Sequence, residues 1–128
     1  PLSIAHRYGV FVGEKINNTL YQGKSVVEKP PKENIPSNLV FAGRYVLPAE
    51  IFDLLKKTPK GVNNEIQLTD GIRQLLQFET VFGHVFNGTR YDVGNKLDFI
   101  KTNLMLGLQR DDLKQELKAW LKEISDIK

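Results

Sequence analysis

Glu28 and Lys29 are the residues in this sequence best placed to act on a ligand: an acid and a base side by side, preceded by Ser25-Val26-Val27 and followed at once by Pro30-Pro31. A carboxylate accepts hydrogen bonds and an ammonium carries positive charge, so the two together could hold a polar, anionic molecule. Neighbouring residues of a strand face opposite sides of a sheet, so the pair can reach one ligand only where a strand ends. Pro30-Pro31 forces such an end, and α/β sheets place their ligands at the C-terminal ends of strands. The alternative reading of the same residues is a surface Glu-Lys pair that contributes little.

A second acid, Asp92, stands before Val93-Gly94, where glycine frees the backbone to turn. Read from residue type alone, Asp92 is an N-cap for the helical pattern that follows. Gly9 within Tyr8-Gly9-Val10 and Gly43 within Ala42-Gly43-Arg44-Tyr45 each mark a bulge or a close backbone approach. The segment Glu65 to Asp70 reads as structural, with Thr69 and Asp70 near a helix start and Leu68 and Ile72 in the core. His6 and His84 are the only histidines and lack the third group that a triad or a metal cluster requires. Both read as structural, and Trp120 reads as a packing anchor.

The elements that must carry these residues alternate in type. Arg7 to Val12 and Ser25 to Lys29 read as strands joined through a hairpin at Asn17-Asn18. Leu39 to Leu47 reads as a buried strand, and Pro48 opens a helix bearing Ile51, Leu54 and Leu55, which Thr58-Pro59-Lys60-Gly61 ends. Leu68, Ile72, Leu75 and Leu76 keep one helical face. Thr80 to Phe86 is expected to return as a strand, with Asn87-Gly88 turning into a short strand at Thr89 to Tyr91. From Lys96 the pattern is helical, with one stripe of Leu97, Ile100, Leu104 and Leu108 and another of Leu113, Leu117, Trp120, Leu121 and Ile124. The class expected is α/β with a mixed sheet and flanking helices.

Composition excludes several functions. The 128 residues, 41% apolar, suffice for one core, and the absence of cysteine rules out disulfides, thiolate metal sites and a cysteine nucleophile. Basic residues exceed acidic by 18 to 15 but are scattered among them, which argues against a nucleic-acid partner. No apolar run approaches the ~20 residues that span a bilayer, and no signal-peptide pattern opens the chain. The expectation is a soluble cytoplasmic protein without a membrane partner.

Taken in order, Val27-Glu28-Lys29-Pro30, Ser37-Asn38-Leu39, Gly43-Arg44-Tyr45, Glu65 to Asp70 and Arg90 to Asn95 closely resemble the C-terminal part of the bacterial UTP-glucose-1-phosphate uridylyltransferases, or UDP-glucose pyrophosphorylases. The resemblance runs from His6-Arg7-Tyr8-Gly9-Val10 to Lys118-Ala119-Trp120-Leu121. It implies the C-terminal half of a Rossmann-like nucleotidyltransferase fold, with residues 1–95 as a sugar-phosphate-binding half and 96–128 as a C-terminal helical segment. It further implies formation of UDP-glucose and pyrophosphate from UTP and glucose 1-phosphate, with Glu28 on the glucose hydroxyls, Lys29 on the adjacent phosphate, Gly9 against the sugar ring, Gly43 at a further substrate contact and Asp92 as a ligand of Mg²⁺. None of the ten glycines forms a Gly-x-Gly pair, so the family's glycine-rich phosphate loop is not in this chain, and the chain alone is expected to be inactive. The apolar stripe of the terminal helix is expected to pack against the family's N-terminal half or another subunit, and a homo-oligomer is expected. A related thymidylyl enzyme shares the Glu-Lys-Pro motif, and a non-catalytic oligomerisation or sugar-binding module is the reading from a different class.

Overall fold

The computed structural model describes residues 2–125. They form two compact units, divided between Asn87 and Gly88.

A short helix, α1 (Leu2–Ala5), leads the first unit into a hairpin of β1 (Gly9–Lys15) and β2 (Leu20–Glu28). The turn forms where Asn17 was expected to make it: its Oδ1 accepts from the backbone N–H of Thr19 and of Leu20, each at 2.9 Å. An asparagine side chain that reaches along its own backbone in this way fixes a turn without a neighbouring element. The short strands β3 (Leu39–Val40) and β4 (Phe82–His84) complete a four-stranded sheet of order β3-β1-β2-β4. The α/β class holds, but each pairing among the described strands is antiparallel, so the parallel component of the expected mixed sheet is not among them.

Of three expected strands, two are cut down and one is absent. Gly43 takes φ +83, outside the range a strand tolerates, and regular pairing with β1 stops at Val40, not Leu47. Residues 89–91 pair with nothing as a strand, and the Thr80 to Phe86 run narrows to the three residues opposite Leu20, Tyr21 and Gln22.

Helices α2 (Ile51–Lys57) and α3 (Leu68–Leu75) pack where the apolar spacing placed them. Phe11, Val26, Ile51 and Ile72 form the buried core, bordered by Phe41, Leu47, Leu55, Leu68 and Leu76. Phe11 and Val26 are register partners on one face of the hairpin, so this face meets the helices. Val10, on the opposite face, is also fully buried, so the hairpin is covered on both sides at this end.

The second unit contains α4 (Lys96–Gly107) and α5 (Lys114–Ser125). They meet at Gly107, where an added Cβ would stand 2.6 Å from the Leu117 side chain. The stripe expected along α4 is only partly covered: Leu104 and Leu108 are half-buried, whereas Leu97 and Ile100 are exposed. Trp120 is also about half exposed, at 51%.

Candidate functional site

Strand alternation puts Glu28 on the same face as Val26, so the core face of β2 ends in a carboxylate opposite Gly9. From the first turn of α3, the Thr69 hydroxyl donates to Glu28 Oε2 at 2.5 Å, a short hydrogen bond. The Glu28 side chain keeps 13% of its exposure, which makes it a rim residue and not a sealed one.

Gly9 allows this contact to close. A Cβ there would stand 3.0 Å from both Glu28 Oε2 and Thr69 Oγ1, and 2.7 Å from the Phe41 ring. Gly9→Ala is expected to push these groups apart at a cost of about 1–3 kcal/mol, the usual range for overpacking. Chemical denaturation checks this, and a variant as stable as the parent would show that the cradle is looser than the structure has it.

Lys29 answers the question the sequence posed about alternation. Its φ of 42 leaves the strand for the left-handed region, which costs an L-residue roughly 1–2 kcal/mol. The backbone N–H of Lys29 donates to the Tyr8 carbonyl at 3.1 Å, and the buried Pro30 follows it. The reversal brings the ammonium back to the carboxylate, with Nζ 3.6 Å from Glu28 Oε1. Acid and base therefore converge at the strand end, each Glu28 oxygen having its own neighbour.

Tyr45 joins the same rim. Its ring packs on Phe41 with centroids 5.4 Å apart. Burial, reinforced by the negative charge of Glu28, pushes its phenol above the usual tyrosine range, so the hydroxyl stays protonated and able to donate.

Sequence reasoning assigned no site role to Tyr45 or Thr69. For Thr69 a signal existed: with Ile72 and Leu76 it keeps i, i+3, i+7 spacing, which places a hydroxyl on the apolar face of α3. Its hydroxyl does not cap the helix, because the N-cap is Gln67 and no side chain bonds there. Gly43 differs from Gly9: its φ of +83 favours glycine, and a Cβ on it would meet no other protein atom within 4 Å.

Asp92 belongs to the second unit, and its N-cap reading is corrected. The N-cap of α4 is Asn95, whose side chain accepts from the backbone N–H of Leu97 and Asp98 at 2.9 and 3.2 Å. Asp92 instead accepts from the Gly94 N–H at 3.2 Å and pairs with Arg90 at 3.5 Å, both at partly exposed positions. No group of three or more potential metal ligands occurs among the described residues. Asp92 is an oxygen donor of the kind Mg²⁺ takes, an ion commonly bound by one or two carboxylates together with substrate phosphates.

The strand end thus gathers a carboxylate, an ammonium and a glycine in an α/β unit. Residues 2–107 match the family described as Nucleotidyl transferase, and the chain belongs to that family. Over 97% of its length the chain is 44% identical to a UTP–glucose-1-phosphate uridylyltransferase of Staphylococcus epidermidis, and over 95% it is 43% identical to that of Bacillus subtilis. It spans about 43% of the length of these relatives. The structure resembles a UDP-glucose pyrophosphorylase complexed with UDP-glucose at a TM-score of 0.82 and 38% identity, covering 86% of this chain and 42% of that one. It resembles a UTP-bound UGPase from Acinetobacter baumannii at a TM-score of 0.81 and 38% identity, covering 96% of this chain and 42% of that one. No described helix is long and apolar enough to cross a membrane.

Proposed function

We propose that this chain supplies the glucose 1-phosphate side of a UTP-glucose-1-phosphate uridylyltransferase, which forms UDP-glucose and releases pyrophosphate. The observation that carries the reading is the convergence of Glu28 and Lys29 beside Gly9. A carboxylate accepts from sugar hydroxyls, and an ammonium 3.6 Å away suits the adjoining phosphate. The attacking phosphate oxygen is already anionic, so the reaction needs no general base. What remains is to hold two anions in line and to offset the charge that builds on the α-phosphate. Lys29 contributes a fixed positive charge to that task, and Glu28 orients the sugar. Asp92 would hold Mg²⁺ in this half, and the bound ion supplies further neutralisation of phosphate charge. Self-association in the cytoplasm belongs to the same proposal, supported by the exposed Leu97, Ile100 and Trp120 of α4 and α5.

The test joins this chain to the N-terminal portion of the Bacillus subtilis relative and measures pyrophosphate release. Turnover with UTP and glucose 1-phosphate is expected, and none from the chain alone. In the completed enzyme Glu28→Gln should narrow the preference for glucose 1-phosphate over galactose 1-phosphate by about tenfold, because an amide returns one acceptor where the carboxylate offered two. Absence of turnover in a folded completed enzyme, or faster turnover with dTTP, would overturn the reading.

A further inference from the structure

We infer that Thr69 is a positioning residue for sugar selection, acting through Glu28 and not on the ligand. The inference rests on the glucose 1-phosphate reading above.

Three observations carry it. The Thr69 hydroxyl donates to Glu28 Oε2 at 2.5 Å across forty-one positions of sequence, a contact that has no local function in α3. Thr69 is 6% exposed, so its hydroxyl has a fixed neighbour and little access to water. Gly9 faces both partners at the distance where a Cβ would already crowd them, so the backbone of β1 closes the third side.

The chemical consequence lies in how a carboxylate presents its oxygens. A carboxylate free to rotate offers either oxygen in many directions, and a sugar differs from its epimer only in the direction of one hydroxyl. With Oε2 engaged by Thr69, the plane of the group is set and Oε1, beside Lys29, is the oxygen left to face a ligand. An acceptor of fixed direction discriminates between epimers; a swivelling one bonds to both. Thr69 is thus expected to govern selectivity more than turnover.

The experiment uses the completed enzyme with Thr69→Val, which keeps the shape and removes the hydroxyl. KM for glucose 1-phosphate should rise about tenfold and the preference over galactose 1-phosphate should fall by a similar factor, the scale of one charge-assisted hydrogen bond. KM for UTP should be unchanged. Thr69→Ser, which restores the donor, should return both values to within about threefold. A double-mutant cycle gives the sharper result: added to Glu28→Ala, which leaves Thr69 no acceptor, Thr69→Val should cost nothing further, since its effect runs through that carboxylate. Should Thr69→Val fail to fold, Thr69→Ala removes the same hydroxyl and carries the same expectations. Unaltered selectivity in a folded Thr69 variant, or full additivity in the cycle, would overturn the positioning role while leaving the glucose 1-phosphate reading intact. An unsubstituted enzyme that ignores glucose 1-phosphate would overturn both.

Discussion

Asp92→Asn is expected to lower turnover of the completed enzyme by about two to four powers of ten, or about 3–5 kcal/mol of transition-state stabilisation. The melting temperature should stay within about two degrees, the scale of a shape-conserving substitution at a partly exposed position. The two expectations are separable because the helix-capping task lies elsewhere: Asn95 bonds the N–H groups of Leu97 and Asp98. An asparagine at position 92 still offers a carbonyl oxygen to the Gly94 N–H, which Asp92 now holds at 3.2 Å. What it cannot offer is negative charge, and a hard cation requires that charge more than the shape. The ion pair with Arg90 is lost as well, but both side chains are about a third exposed, where such pairs contribute little. Raising Mg²⁺ should recover part of the lost activity. A variant that melts many degrees lower, yet whose folded fraction turns over normally, would return Asp92 to a structural role.

Local signals made much of the first unit legible. The Asn17 side chain makes its turn from neighbours within three residues, and Leu68, Ile72 and Leu75 reveal α3 because one face of a helix must be apolar to be buried. The convergence of Glu28 and Lys29 at a strand end was legible for the same reason, since Pro30-Pro31 announces that end in the sequence itself.

The failures share a cause as well. Leu39 to Leu47 is apolar and β-prone, but whether it pairs depends on how far β1 extends beside it and on a positive φ at Gly43, which residue type permits without requiring. The role of Thr69 depends on Glu28 arriving from another element, so periodicity puts the hydroxyl on the right face but does not name its partner. In α4 the apolar stripe is present, yet Leu97 and Ile100 are exposed, because a stripe states that burial is favourable and not what provides it.

Lys29 gives the second large effect and ties stability to function at one backbone position. Lys29→Met should lower turnover with glucose 1-phosphate by about two to three powers of ten, because it removes the positive charge and keeps the length of the side chain. Lys29→Gly should be at least as inactive, yet about 1 kcal/mol more stable than Lys29→Met. Both variants lack the ammonium beside Glu28, so that loss cancels in the comparison, and the remaining difference is the φ of 42 that glycine adopts without steric cost. In a chain of this size the gain corresponds to a few degrees in melting temperature. A lysine kept in a conformation better suited to glycine is consistent with selection for where its side chain goes, namely back toward Glu28 at 3.6 Å. The comparison is made by thermal melts of the two variants alongside their turnover. If Lys29→Gly proves less stable than Lys29→Met, the left-handed conformation is not a source of strain, and the convergence of acid and base at the end of β2 would need another cause.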